Sequence, residues 1–577
     1  MKKLFQYMKY YKKESILGPL FKLLEALFEL FVPLVVAAII DRGIAARDTG
    51  YIVRMALVLL ALGIIGLVCS ITAQFFAAKA AVGTSCRLRR SLFAHIQTLS
   101  FSDLDAEGTS TLITRLTNDV NQVQTGINLA LRLLLRSPFV VFGAMVMAFT
   151  IDAESALVFA AVIPVLSVVV FGIMLISIPL YKKVQRNLDG VTETTRETLA
   201  GVRVLRAFRM EGLIRREFSE RNEALTAHQK FVGRISALMN PVTYVIVNLA
   251  VILLIQKGAV QVDRGVLTQG EVVALYNYMS QILVELVKLA SLIISITKCI
   301  ASFNRVEAII ERRPDMTFPE TSASPSGSDI AVEFRNVHLT YRNAGDESLT
   351  DISFTAKKGE TVGIIGGTGS GKTSLVSLIP RFYDATRGEV LVCGIPVTDY
   401  TAEDLRKKIG YVLQKAVLFK GTIRDNLRFG KNDATDEEIF AALETAQAMD
   451  VVRAKERGLD SMVEQGGRNL SGGQRQRLTI ARALVGKPEI LILDDSASAL
   501  DFATDAALRK ALGSLDYSPT VFIISQRTSS IRHADKIIVL DDGAICGTGT
   551  HDELLDSCEV YREIYNSQYK KEGEGSR

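Results

Sequence analysis

Cysteine is scarce in this 577-residue chain and is not arranged for chemistry. Cys69, Cys86, Cys299, Cys393, Cys546 and Cys558 are scattered, with no C-x-x-C spacing. That pattern argues against a disulfide framework or a zinc site and for free thiols in apolar or cytosolic surroundings. Surplus charge is scarce too. Lys and Arg number 67 against 62 Asp and Glu, a net charge of +5 with no long basic tract, so nucleic acid is not implied as a partner. Nor does Met1–Lys13 read as a cleavable signal, being charged, interrupted and without a small-residue cleavage site. The length excludes a single domain. What is present changes character along the chain: long apolar runs before about residue 310, then the composition of an ordinary soluble α/β domain after about residue 330.

Six apolar stretches are long enough to cross a bilayer as helices, at 16–40, 55–78, 133–151, 155–180, 236–257 and 271–298. Positive charge crowds the N-terminus (Lys2, Lys3, Lys9, Lys12, Lys13) and follows the second span (Arg87, Arg89, Arg90, Arg115) and the fourth (Lys182, Lys183, Arg186, Arg203, Arg206, Arg209). By the positive-inside rule, both termini and both long connections face the cytosol. Those connections, 79–132 and 181–235, have few glycines, almost no proline and helical periodicity; Ile113, Leu116, Val120 and Val123 form one stripe. They are expected to be cytosolic continuations of the membrane helices. Charge inside the spans is rare and costly: Glu25 and Glu29 on the first, Glu285 and Lys288 on the sixth. Glu25, Glu29 and Glu285 either line a substrate path that favours cationic or zwitterionic cargo, or serve structure, with Glu285 paired to Lys288 and Glu25 beside Lys22.

Residues 312–329 are rich in Pro, Ser and Thr and read as a linker between a membrane domain, 1–311, and a nucleotide domain, 330–577. In the latter, Gly366-Gly367-Thr368-Gly369-Ser370-Gly371-Lys372-Thr373 fits G-x-x-x-x-G-K-[ST], after the apolar strand Thr361–Ile365 and before a helical run opening at Ser374. The glycines let backbone N–H groups turn in around a polyphosphate, Lys372 reaches the β/γ-phosphates and Thr373 holds Mg²⁺. Tyr341 ends an earlier strand, where an aromatic can stack on adenine. The apolar strand 490–493 ends in Asp494 and Asp495, and a carboxylate at that edge can serve Mg²⁺. Gln414 follows the strand 409–413 and can add an amide at the metal. Leu470-Ser471-Gly472-Gly473-Gln474 opens a further helix and offers a second anion site. Two anion sites per domain make sense if two such domains meet head to tail, each closing over ATP held by the other.

In order and spacing, the P-loop 366–373, Gln414, Leu470–Gln474, the Asp494 strand and Ser498–Asp501 resemble the ATP-binding cassette family, and the whole chain resembles an exporter half-transporter. The resemblance implies an all-α six-helix transmembrane domain with long cytosolic helical extensions, followed by an α/β P-loop cassette. It implies ATP and Mg²⁺ as cofactors, a D-loop at Asp501, and Ser471, Gly472, Gly473 and Gln474 acting in trans on a second half-transporter. Phe101–Val123 and Glu193–Met210 are similar to the family's coupling regions, and Gln414 would pass the nucleotide signal to them.

Two positions depart from the pattern. Where the family usually has the water-polarising Glu stands Asp495, one methylene shorter, and a misplacement of that size costs about a hundredfold in rate. Where it usually has His stands Gln526, which hydrogen-bonds but neither carries charge nor shuttles a proton. The expectation is a slow site here, an intact signature lent to a partner, and a heterodimer in a bacterial cell membrane exporting hydrophobic or amphipathic compounds. A lipid or peptide translocator, an importer on the same fold, and an ATP-gated channel or regulator are the competing readings.

Overall fold

Small residues set how the first helices meet. In the computed structural model, which describes residues 2–323, 327–342 and 344–569, α1 (Lys12–Ala38) packs on α2 (Thr49–Ile96) along the buried Ala73, Ala77, Ala80 and Ala81. This spacing puts one flat stripe on one helix face, the arrangement that lets apolar helices approach without large side chains between them. The linker residues 324–326 and the cassette's last residues, 570–577, lie outside the described residues, as does Met1.

The chain continues through α3 (Phe101–Glu107), α4 (Val120–Leu133), α5 (Arg136–Ile151), α6 (Ala153–Ala200), α7 (Val202–Ala207), α8 (Glu211–Ala237), α9 (Met239–Asp263) and α10 (Gln269–Ile310). Caps mark the sharp turns. Asp152 accepts from Ser155 N–H ahead of α6, and Thr268 and Glu271 cap each other's backbone at the start of α10. α2 and α6 have 48 residues each, about 72 Å of helix against about 30 Å of bilayer hydrocarbon. Both therefore run far past any membrane, as the helical connections predicted.

Five helical stretches among the described residues are long and apolar enough to cross a membrane: Lys3–Ile44, Thr49–Ile96, Thr109–Ile151, Ala153–Ala200 and Glu211–Asp263. The sixth expected span lies in α10, which is not in that group. α10 packs at the interior of the bundle. Tyr278, Met279 and Ile282 are fully buried, and Tyr278 OH donates to the Leu30 carbonyl at 2.6 Å.

One stripe is corrected. Leu112, Val120 and Val123 are buried, Leu116 is half-buried and Ile113 is exposed. Arg115–Asp119 forms a π-helical turn, whose wider i→i+5 spacing shifts the phase of everything before it by a residue.

By contacts the chain divides into two compact units: Met1–Gln97 with Ser110–Arg312, and Thr98–Thr109 with Arg313–Arg577. This division by contacts falls at residue 312 and groups α3 with the second unit. There the Phe101 ring meets Phe382 at 4.7 Å, Asp105 accepts from Tyr383 OH at 2.7 Å, and Arg342 bridges Asp103 and Asp315. The described part of the linker is also tied down. Phe318 lies under the Arg381 guanidinium at 4.6 Å, and Ser322 is hydrogen-bonded to Thr401 and Asp404.

The second unit carries β1 (Ile330–Leu339), β2 (Leu349–Lys357), β3 (Thr361–Gly366), β4 (Arg387–Val392), β5 (Ile409–Val412), β6 (Ile490–Asp494), β7 (Thr520–Ile524), β8 (Lys536–Asp541) and β9 (Ala544–Gly549). Six form a sheet in the order β9-β8-β3-β7-β6-β5, parallel except for the β8–β9 pair. Its central strands are apolar throughout because both faces are covered; every residue of β6 and β7 is buried. An antiparallel sheet joins β2, β1, β4 and the short strand Ile395–Pro396. The register Ile364↔Ile524↔Asp494 brings the C-terminal ends of β3, β7 and β6 to one sheet edge, where doubly wound sheets bind ligands. Four helices used below are α11 (Lys372–Ser377), α12 (Gly472–Leu484), α13 (Phe502–Gly513) and α14 (Thr528–Ile531); α15 (Glu559–Gln568) is the last described helix.

Candidate functional site

A cleft of about 540 Å³ opens at that sheet edge, lined by Thr368, Gly369, Gly371, Lys372, Thr373 and Ser374 from the turn into α11 and by Gln414, Asp494, Asp495 and Gln526 from the neighbouring strand ends. The turn needs glycine. Gly369 and Gly371 have φ of 86° and 89°, and a side-chain carbon on Gly371 would come within 2.8 Å of the Ser348 carbonyl. Lys372 folds back into the cradle, its Nζ donating to the carbonyls of Gly366 (2.9 Å) and Gly367 (2.5 Å) and to Ser370 Oγ (3.3 Å). These bonds park the ammonium where a polyphosphate would lie. Burial holds the Lys372 pKa below the ordinary lysine value, with Asp495 and Asp494 pulling the other way.

Thr373 Oγ1 donates to Asp494 Oδ1 at 3.1 Å, and Tyr411 OH donates to Asp494 Oδ2 at 3.3 Å. Burial raises Asp494 and Asp495 above the usual carboxylate range. A hydroxyl and a buried carboxylate side by side are hard oxygen donors of the kind Mg²⁺ takes together with phosphate oxygens and water. Among the described residues there is no cluster of three or more His, Cys, Asp or Glu that could hold a metal ion alone. The residues present therefore fit ATP and Mg²⁺: Lys372 and the glycine-turn amides for the phosphates, Thr373 and Asp494 for the metal. Such a metal would supply charge neutralisation between phosphate oxygens.

Asp495 sits in left-handed backbone (φ 45°), its N–H donating to the Ile524 carbonyl at 3.0 Å. Its Oδ2 is 3.5 Å from Gln414 Nε2, the long end of a hydrogen bond. Gln526 reaches the same cleft from the turn after β7. Tyr341 is not among the cleft-lining residues. Its hydroxyl donates to Ser374 Oγ at 2.9 Å and its ring stands edge-on to Tyr383 at 5.0 Å.

Ser471–Gln474 lies elsewhere in the unit and lines no part of the cleft. It forms a complete capping box: Ser471 Oγ accepts from Gln474 N–H and Gln474 Oε1 from Ser471 N–H, with Ser471 and Gly472 exposed and Gly473 and Gln474 half-buried. Asp501 caps α13 by accepting from Thr504 N–H at 2.8 Å.

In the helical unit, each of the three carboxylates singled out in the sequence already has a cation. Arg136 donates to Glu285 Oε1 (2.6 Å) and Glu29 Oε2 (2.5 Å), Lys288 to Glu285 Oε1 (3.0 Å), and Lys22 to both oxygens of Glu25. Glu29, Glu285 and Lys288 line a cleft of about 430 Å³ with Val36, Val140 and Gln281; Glu25 does not. Of the two readings the sequence left open, the pairings of the structural one are present, Glu285 with Lys288 and Glu25 with Lys22, while Arg136 and Lys288 balance Glu29 and Glu285 in the cleft. In the sequence Arg136 shows only as a charge at the head of the third span. Tyr411 had only a weak signal, an aromatic three residues before Gln414.

A family model described as the ABC transporter transmembrane region matches residues 15–286, and one described as ABC transporter matches residues 349–498. An uncharacterized ABC transporter ATP-binding protein of Mycobacterium tuberculosis is 37% identical over 567 residues, covering 98% of this chain and 97% of its own. A Bacillus subtilis protein, named provisionally as a multidrug export ATP-binding/permease protein, is 33% identical over 98% of this chain and 99% of its own. The solved structure of a bacterial Atm1-family ABC exporter with ATP bound shares the fold at a TM-score of 0.80, covering 98% of this chain and 99% of that one at 23% identity. With a glycine turn, a buried lysine and a threonine–aspartate pair at one sheet edge, and a helical transmembrane domain ahead of them, this chain belongs to the ABC transporter family as an exporter-type half-transporter whose cassette is an ATPase.

Proposed function

We propose that this chain is one half of a heterodimeric exporter of hydrophobic or amphipathic compounds in a cell membrane, with both termini in the cytosol. Its own cleft grips Mg²⁺-ATP and turns it over slowly; its Ser471–Gln474 tip completes a fast site on a different chain. The observation that carries this is an imbalance. Asp495 and Gln526, both short of the usual chemistry, line the cleft, while the capping box at Ser471–Gln474 is whole. Lys372 holds phosphate, Thr373 and Asp494 hold the metal side, and Asp501 and Gln414 serve the closing interface. Asp495 has to polarise the attacking water from a shorter reach, and Gln526 offers a neutral amide where a proton shuttle is usual.

A packed chain runs from α3 to the metal side of the cleft. Phe101 meets Phe382 at 4.7 Å, Phe382 meets Tyr411 at 5.2 Å, and Tyr411 bonds Asp494. α3 is continuous in sequence with the long helix α2, so this packing supports a route by which closure over nucleotide moves the helical bundle. In the second coupling segment, Leu199, Val204 and Phe208 are exposed, which suits a surface covered by a second subunit. The export of drug-like compounds is supported by the name of the Bacillus subtilis relative and by apolar Val36 and Val140 in the 430 Å³ cleft.

The test is the ATPase rate of the purified full-length chain, alone and with its partner half-transporter. The expected result is slow turnover alone and fast turnover only in the mixed assembly. Brisk turnover by this chain alone, abolished by Asp495→Asn, would overturn the proposal.

A further inference from the structure

Gln526 reaches the nucleotide cleft on a turn that is held from two sides. On the sheet side, Ser525 N–H donates to the Ile364 carbonyl at 3.1 Å and Arg527 N–H to Ser525 Oγ at 2.9 Å. On the other side the hold comes from the last residue of α15. Gln568 Nε2 donates to the Gln526 carbonyl at 2.6 Å, and Gln568 Oε1 accepts from Thr528 N–H at 2.9 Å and from Thr528 Oγ1 at 3.0 Å. These partners fix the amide's orientation, since a carbonyl only accepts and a backbone N–H only donates. Thr528 opens α14, whose N-cap residue Arg527 supplies no side-chain cap. Gln568 takes that capping role from a distant part of the sequence.

The base of this clamp is firm. Tyr561 of α15 is fully buried with its hydroxyl 2.7 Å from His551 Nδ1, and Val560 and Ile564 pack on the hydrophobic core. The turn is also tethered to the start of α13 by Arg527 over the Phe502 ring at 5.6 Å.

The geometry points to Gln568 as a positioning residue for the ATP site: it holds the Ser525–Arg527 turn so that the Gln526 side chain stays at the cleft, and it thereby sets how strongly the site prefers ATP over ADP. This rests on the proposed ATP site and takes the Gln526 side-chain amide as a hydrogen-bond donor to the γ-phosphate. Both halves of the amide matter differently. The acceptor half caps α14, and the donor half fixes the Gln526 carbonyl.

The experiment measures the affinities of the full-length chain for a non-hydrolysable ATP analogue and for ADP, both with Mg²⁺, in four variants. Gln526→Ala is expected to cut the preference for the ATP analogue about tenfold, as loss of a hydrogen bond to a charged group does. Gln568→Ala is expected to cut it about three- to tenfold with ADP affinity unchanged. Gln568→Glu, which keeps the acceptor for Thr528 but sets a carboxylate oxygen against the Gln526 carbonyl, should lose as much, and it serves in place of Gln568→Ala should that variant fold poorly. The Gln526→Ala, Gln568→Ala double variant should prefer the ATP analogue no less than Gln526→Ala alone, because one residue acts through the other. If Gln526→Ala leaves the preference unchanged, the γ-phosphate role of Gln526 falls and this inference with it. If Gln526→Ala lowers the preference but the Gln568 variants leave it intact, lower both affinities together, or add to Gln526→Ala, the positioning role alone falls.

Discussion

Two helix N-termini in the cassette invite an anion, and they are finished to different degrees. The start of α11 has walls: left-handed glycines, a buried lysine and a threonine paired with a carboxylate. The start of α12 has none. Ser471 and Gly472 are exposed, and two of the free donors there, the N–H groups of Ser471 and Gln474, are satisfied by the helix's own Ser471–Gln474 box. The difference is what the proposed assembly calls for: there one end grips without closing and the other closes without gripping, so that the grip belongs to this chain's slow site and the closure to the partner's fast one.

The largest expected break in that comparison is Lys372→Ala. Removing a buried cation from the phosphate cradle should weaken Mg²⁺-ATP binding about a thousandfold, measured by calorimetry, while the fast site of the mixed assembly still binds nucleotide. Next is the reverse change. Asp495→Glu with Gln526→His should speed hydrolysis at this chain's cleft about a hundredfold, read as single turnover; no gain would mean that something other than these two side chains sets the rate. Ser471→Ala removes half of the capping box, worth about 1 kcal/mol to α12. It should slow the mixed assembly's turnover about tenfold and leave nucleotide affinity at this chain's own P-loop unchanged.

The smallest effect concerns pH. A carboxyl raised on folding binds its proton more tightly in the folded state. Its destabilising influence is therefore present at neutral pH and fades as pH falls through its raised pKa. Asp494 and Asp495 both shift this way. The nucleotide-free chain should thus gain about 1–2 °C in Tm with Asp494→Asn at neutral pH. Its Mg²⁺-dependent ATP binding should begin to weaken on acidification before an ordinary carboxylate of pKa about 4 would titrate. A Tm lowered by Asp494→Asn would show that the carboxylate is satisfied without its metal.

What was legible in the sequence was local. Gly371, Lys372, Asp494, Ser471 and Asp501 announce themselves because a turn, a strand end or a cap needs those residue types within a few positions. What was not legible is carried by partners far apart in the chain: Tyr411 on Asp494 across 83 residues, Gln568 on Gln526 across 42, Arg136 on Glu285 across 149. Tyr, Gln and Arg have no pattern that announces such pairings. The six spans were read from composition alone, which does not show that α10 turns Tyr278, Met279 and Ile282 into the bundle. The exposure of Ile113 was hidden because a 3.6-residue period assumes an uninterrupted α-helix.

That last interruption has a consequence for the chain's tolerance of change. The wide turn at Arg115–Asp119 is buttressed at its end by Asp119, which takes Arg115 from its own turn and Arg305 from α10. Excising one residue between Arg115 and Asp119 would remove the extra residue that the wide turn accommodates, so the backbone could relax to ordinary pitch with the upstream stretch left in its present phase. Leu112 would then stand seven residues before Val120, on the same helix face, and keep its seat. A single-codon deletion at this spot should thus be absorbed, whereas a deletion two turns further on, with no wide turn to take it up, would rotate everything before it by about 100° and scramble the packing of Val120 and Val123 outright.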